Sequence, residues 1–155
     1  MKALMLVLVL LLPAHLLAQE RGTGVAKGGV LELRQIIDQS KGQVLIVNFW
    51  ATWCAPCVKE FPGLMSLRRE FPEEKLRIVG ISVDYDVRPV ENFIKQQQVN
   101  FPILLDDGSI SSMMGIKNIP RTLIYDQSGK KFLDNTGFIS EESFRHVVER
   151  LLNTP

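Results

Sequence analysis

Cysteine and histidine are scarce in this chain. Its 155 residues include two cysteines, Cys54 and Cys57, and two histidines, His15 and His146. With no further cysteine and no histidine near the pair in sequence, a four-coordinate structural zinc site built from the Cys and His of one chain is a weak reading. Net charge is lacking as well: 18 basic residues face 17 acidic ones, a formal charge of +1. That leaves no basic field to attract nucleic acid and no polybasic patch for a membrane surface. No internal repeat or long low-complexity tract divides the chain. With 46% hydrophobic and 23% charged residues, the composition suits one globular domain with a substantial core.

One apolar run stands apart. Met1-Lys2 followed by residues 3–12 has the charged start and apolar stretch of a secretory signal. The run falls short of the ~20 residues that span a bilayer. Ala18 suits the last position before a cleavage, although Leu16 is bulkier than the small residue usual two positions earlier. The expected organisation is a signal segment at 1–18, or an uncleaved anchor, then a Gly-rich linker at 19–29 and a domain at 30–155. Loss of residues 1–18 removes Lys2 and no acid, which leaves the remainder neutral. Export would place the chain where disulfides form and must be managed.

What is present centres on Trp53-Cys54-Ala55-Pro56-Cys57. The β-branched, continuously apolar run Val44–Trp50 predicts a buried strand leading into it, and a helix follows. A helix starting there puts Cys54 at its N-terminus, where free N–H groups and the macrodipole favour a thiolate. Cys57, three residues on, lies within reach of a disulfide to Cys54. A purely structural bridge would close a tiny loop and remove little unfolded-state entropy. Reversible thiol chemistry is the favoured reading, with a structural bridge and a metal site as the rivals.

Periodicity predicts the remaining elements. Leu33, Ile36 and Ile37 mark a helix over Val30–Gln39. After the cysteines, Phe61, Leu64, Met65 and Phe71 mark the buried face of a helix that Pro62 should kink. A strand is expected over Leu76–Val83, a helix over Pro89–Gln98, a strand over Phe101–Leu105 and a short helix over Ser109–Gly115. Arg121–Tyr125 and Lys130–Asp134 read as a hairpin about Asp126-Gln127-Ser128-Gly129. Ser140 caps a last helix whose buried stripe is Phe144, Val147, Val148, Leu151 and Leu152, with His146 on the solvated side. Strands alternating with helices and closing on a hairpin predict a three-layer α/β domain. Sites in such sheets lie beyond the carboxyl ends of the strands.

The run Asn48-Phe49-Trp50-Ala51-Thr52-Trp53-Cys54-Ala55-Pro56-Cys57, followed by Pro62, Ile119-Pro120 and Gly137, resembles the thioredoxin superfamily over roughly Val30 to Leu152. The resemblance implies a central mixed sheet flanked by helices, with an extra strand and helix between Cys57 and Pro120. It implies that Cys54 is the attacking thiol, Cys57 the resolving thiol and Pro120 a cis proline facing them. Trp53 and the Ile119-Pro120 backbone would shape a docking groove, and Pro56 is similar to the proline of reducing members. Within the superfamily the chain looks most like the exported thiol–disulfide oxidoreductases of the TlpA/ResA/CcmG type. The run Cys57-Val58-Lys59-Glu60-Phe61-Pro62 carries their active-site glutamate onto Glu60.

Two positions depart from thioredoxins proper. Asn48 stands where they have a buried Asp, and an amide cannot relay a proton at neutral pH; Glu60 would take over that task. Arg121 follows the cis proline, where a small residue is usual. It would favour thiolate as a neighbouring cation, grip a partner or point to solvent. The resemblance implies reduction of disulfides in exported proteins, apocytochrome c among them, with a membrane thiol-electron donor restoring the dithiol. No cofactor is expected beyond the redox-active Cys54–Cys57 pair. The location would be periplasmic or otherwise extracytoplasmic, at the inner membrane if the N-terminal segment is retained. Oxidation or isomerisation of disulfides, and Cu(I) binding by the same thiols, are the alternatives.

Overall fold

The computed structural model describes residues 25–153. The expected signal segment and most of the expected linker lie outside these residues. Eleven elements follow in order: β1 (Ala26–Gly28), α1 (Val30–Gln39), β2 (Val44–Trp50), α2 (Ala55–Glu70), β3 (Leu76–Ser82), α3 (Val87–Gln97), β4 (Ile103–Asp106), α4 (Ser109–Met114), β5 (Arg121–Tyr125), β6 (Lys131–Thr136) and α5 (Glu141–Leu152). The strands form one mixed sheet in the order β1-β4-β3-β2-β5-β6. The first four run parallel, β5 returns antiparallel beside β2, and β6 pairs antiparallel with β5. This is the thioredoxin-like three-layer sandwich. Between α2 and Pro120 lie two strands and two helices, β3–α3–β4–α4, which include the expected extra strand and helix.

All seven residues of β2 are buried, because both faces of the sheet are covered. Successive side chains of a strand point to opposite faces, and the two cores follow that alternation. Val44, Ile46 and Trp50 pack with Phe61, Leu64, Leu67, Val90, Phe144 and Val148 beneath α2, α3 and α5. Leu45, Val47 and Phe49 pack with Leu33, Ile110, Leu123 and Tyr125 beneath α1 and α4. Asn48 shares its parity with Ile46 and Trp50, so alternation places a buried amide on the α2 face. Among the described residues, no helix is long and apolar enough to cross a membrane.

The structure corrects the sequence expectations at several places. Ala26–Gly28, read as linker, is an edge strand whose residues pair with Leu104–Asp106. Three residues held by backbone bonds to a strand far along the chain leave no periodic signature. α3 starts at Val87, capped by the Asp86 carboxylate accepting from the Arg88 amide at 2.9 Å. Pro89 therefore sits in its first turn, where a missing N–H is tolerated. In α2 the helix continues through the exposed Pro62, and its buried residues include Cys57, Glu60, Gly63 and Leu67. Met65 and Phe71, expected in the buried face, are only partly covered.

Phe61 sits at the centre of an aromatic cluster. Its ring lies 4.4 Å from Trp50, 4.9 Å from Phe93 and 5.5 Å from Phe101. The cluster ties α2 to β2, α3 and the approach to β4. Phe61→Ala should lower stability by about 3–5 kcal/mol through lost burial and the cavity left behind. Urea unfolding of the oxidised protein measures it; a loss below about 1 kcal/mol would show that the cluster closes up without its central ring.

Candidate active site

The site forms where β2 ends. Ala51–Trp53 turn the chain, and Cys54 caps α2 in an extended conformation. Its Sγ accepts the Cys57 amide at 3.3 Å, the side-chain cap that Ser or Asp supplies elsewhere. Pro56 stands in the first turn of α2, where it forfeits no intrahelical bond. Cys54 and Cys57 are joined as a disulfide with their Cα atoms 5.2 Å apart. Cys54 keeps 6% of its surface exposed and Cys57 none. Of the two, only Cys54 offers an approach from solvent, which fits the attacking and resolving roles expected for them.

The turn is held from the neighbouring strand by a residue the sequence did not single out. The Asp84 carboxylate, just past β3 and buried, accepts the Thr52 amide at 3.0 Å and the Thr52 hydroxyl at 2.7 Å. The Ser82 hydroxyl donates to the same carboxylate at 2.7 Å. A Ser-x-Asp pair at the end of an apolar strand was the available signal. Trp53, at the tip of the turn, is 65% exposed. It lines a cleft of about 550 Å³ together with Val83, Tyr85, Lys117 and Ile119. Tyr85 is almost fully exposed there.

The Ile119-Pro120 bond is cis. Antiparallel pairing of Phe49 with Arg121 brings Pro120 alongside Trp50, next to the start of the cysteine turn. The Pro120 carbonyl accepts the Gly137 amide at 2.8 Å. Gly137 has φ +108°, a conformation that glycine adopts without strain. Trp53, Ile119 and Pro120 thus gather at one end of the sheet with the cysteines, as the sequence suggested.

Arg121 does not join them. Leu123 and Tyr125, two and four residues on, lie on the α1/α4 face, and alternation sends Arg121 to that face, away from the core that holds both cysteines. Its Nε and Nη2 donate to the Asp134 carboxylate at 2.8 and 3.1 Å, and its Nη1 donates to the Met114 carbonyl at 3.0 Å. The guanidinium holds Asp134 down to about 2. The expected thiolate-stabilising or partner-gripping cation is therefore a brace between the hairpin and the end of α4.

Glu60 is buried, with 2% of its surface exposed, on the α2 face that carries Cys57 one turn earlier. One carboxyl oxygen accepts the Asn48 side-chain amide at 2.9 Å, and the other accepts the Ile139 backbone N–H at 2.6 Å. Burial pushes its carboxyl up to about 7, against the two donors, which lower it. The acid is thus poised to exchange a proton near neutrality. Its donors Thr122-braced Asn48 and Ile139 come from β2 and from the loop before α5. The Ile139 amide and Thr122 carried no sequence signal, since only the fold brings them to residue 60.

Burial of an acid has a thermodynamic consequence. Between about pH 4.5 and pH 7 the folded Glu60 holds a proton that the unfolded chain has released. Through this group stability is full below the lower value, falls as pH rises through the window, and is level above it. Glu60→Gln should abolish that fall, gaining a few kcal/mol on the native protein between pH 4.5 and pH 8. Urea unfolding of both oxidised proteins across this range measures the difference; a constant difference would mean that Glu60 ionises normally in the fold.

The geometry now stands beside known proteins. The AhpC/TSA family model matches residues 20–130. The thiol-disulfide oxidoreductase ResA of Bacillus cereus (strain ZK / E33L) is 32% identical over 126 residues, covering 81% of this chain and 70% of the relative. ResA of Bacillus subtilis (strain 168) is 35% identical over 102 residues, 65% of this chain and 57% of the relative. Among solved structures, StoA from Bacillus subtilis shares 30% identity at a TM-score of 0.62, covering 68% of this chain and 82% of its own. A thioredoxin-family thiol:disulfide interchange protein from Chlorobium tepidum TLS shares 29% at 0.70, covering 75% and 84%. With a matching family model, this fold and a Cys54–Cys57 disulfide at the head of α2, the chain belongs to the AhpC/TSA family, as a thioredoxin-like thiol–disulfide oxidoreductase similar to the ResA proteins.

Proposed function

We propose that the protein is an extracytoplasmic reductase of disulfides in exported partner proteins, with apocytochrome c the leading candidate. The observation that carries the direction is the charge around the thiols. The ionisable neighbour on their helix face is a buried carboxyl, Glu60, while the nearby cation Arg121 is turned to Asp134. A carboxylate beside two thiols disfavours thiolate, so the reduced form is not over-stabilised as it is in strong oxidants. The Pro56 between the cysteines is similar to that of reducing thioredoxins.

The reaction balances as two exchanges. The Cys54 thiolate attacks one sulfur of the partner disulfide, forming a mixed disulfide and releasing the partner's first thiolate, which takes a proton from water. Glu60 accepts the Cys57 proton. The Cys57 thiolate then attacks the Cys54 sulfur, closing the intramolecular disulfide and releasing the partner's second thiolate. The partner gains two electrons, and Cys54 and Cys57 lose them. A membrane thiol-electron donor then restores the dithiol by the reverse exchange. Trp53, Ile119 and Pro120 present the partner segment to Cys54.

Two measurements test this. Equilibration in thiol buffers should give a reduction potential near or below about −230 mV, in the thioredoxin range. A value near about −120 mV would make the protein an oxidant and reverse the proposed direction. Cys57→Ser in a reduced, exported sample should accumulate partners bound covalently to Cys54, identified by mass spectrometry of the mixed disulfides. Equal trapping by Cys54→Ser would interchange the two roles, and recovery of partners without an apocytochrome among them would remove that substrate.

A further inference from the structure

Asn48 lies in the middle of the central strand and is fully buried among apolar neighbours. Its side-chain nitrogen donates to Glu60 at 2.9 Å and to the Thr122 hydroxyl at 3.0 Å. Both amide hydrogens are thereby used. Its carbonyl oxygen is buried with no hydrogen-bond partner among the described residues, although buried polar atoms nearly always find one. The amide is therefore not explained as a balanced core contact. It gives two bonds, receives none, and leaves an acceptor stranded in order to aim its N–H groups in these directions.

Thr122 fixes that aim. It is the cross-strand partner of Asn48 in the antiparallel β2–β5 pairing. Its β-branched side chain has few rotamers, so its oxygen is a firm anchor for one amide hydrogen and leaves the other directed at Glu60. From the opposite side the Ile139 amide donates to the second carboxyl oxygen. The groups packed on Glu60 from β2 and from the loop before α5 are thus neutral donors, with Thr122 of β5 behind the first of them. On α2 itself Cys57 lies one turn earlier. Lys59, the cation adjacent in sequence, stands over the Phe138 ring 4.9 Å from its centroid.

We infer that Asn48 is a positioning residue for Glu60: braced by Thr122 at the cost of its own unpartnered oxygen, it pins the carboxyl to the sheet and sets how readily that carboxyl takes up the Cys57 proton. This rests on Glu60 being the proton acceptor of the proposed reaction. Donors on both oxygens favour the carboxylate and give a bound proton no acceptor at Asn48 or Ile139. The proton taken from Cys57 is consequently held less tightly than burial alone would hold it. Asn48 acts through Glu60 and touches neither sulfur in the chemistry.

The test is the pH dependence of mixed-disulfide resolution, read by acid quench and mass after mixing the full-length reduced protein with oxidised glutathione. The native protein should show an acid limb that Glu60→Gln removes. Asn48→Ala deletes a bond to the charged form and should move the limb to higher pH by about one unit, roughly a tenfold slower step at a pH below it. Asn48→Asp sets a second carboxylate against the first, the pair shares one proton, and the limb should move further up. Thr122→Val, nearly isosteric, should shift it in the same direction by less. In the Glu60→Gln background, Asn48→Ala should leave the pH profile unchanged.

A limb that survives Glu60→Gln overturns the proton-acceptor reading, and this inference with it. A limb removed by Glu60→Gln but unmoved in all three Asn48 and Thr122 variants overturns the inference alone. Lower melting temperatures with an unmoved limb would give that second result, because a merely structural amide changes stability and not the titration.

Discussion

The structure depends on one strand being buried on both faces. β2 runs through the centre of the sheet, pairing with β3 on one side and β5 on the other, and none of its residues reaches water. Each of its side chains must therefore meet a helix. Even-numbered positions face α2 and α5, odd-numbered ones face α1 and α4. The cysteine turn leaves from the end of this strand, so a strand buried on both faces and paired on both edges aims Cys54. The same alternation delivers Asn48 to Glu60 and, one strand over, turns Arg121 away from the thiols.

The site is assembled against the trend of the core around it. An acid and an amide sit where apolar residues would pack at lower cost, and the amide keeps an unpartnered oxygen. Buried polar groups of this kind destabilise a fold unless fully paired. Their presence within one turn of Cys57 is intelligible as the condition for a carboxyl that titrates near neutrality. The fold tolerates it because two donors from separate elements hold the carboxylate, and because the aromatic cluster about Phe61 secures the next residue of the same helix. Stability and proton exchange thus draw on adjacent residues of α2.

Charge distribution around the disulfide follows from the same frame. Asp84 is engaged in holding the turn through Thr52 and Ser82. Arg121 is engaged between Asp134 and the end of α4. On α2 the sulfurs sit with the helix N-terminus at Cys54 and the Glu60 carboxyl one turn beyond Cys57. The first favours a thiolate at Cys54, and the second disfavours a lasting charge at Cys57.

The elements that carry the fold were legible in the residues. β2, α1, the hairpin and α5 are long or strongly patterned, and local physics sets them: continuous β-branched burial, helical spacing, Asp and Gly in a turn, Ser at a cap. The cysteine pair named the chemistry because two thiols three residues apart at a helix start have few other uses. Whether Glu60 faced water or the core could not be read along the chain. That depended on Asn48, twelve residues earlier, and Ile139, far downstream, converging on one side of α2. The same holds for β1, which exists only through its pairing with β4, and for Arg121, whose direction was decided by strand parity and by Asp134 across the hairpin. Sequence by itself determined the local elements and the cysteine pair that forms the disulfide, since both follow from neighbours in the chain. Tertiary structure alone decided which polar groups lose water and which donors they meet, and it is this desolvation and pairing that sets the ionisation of the site.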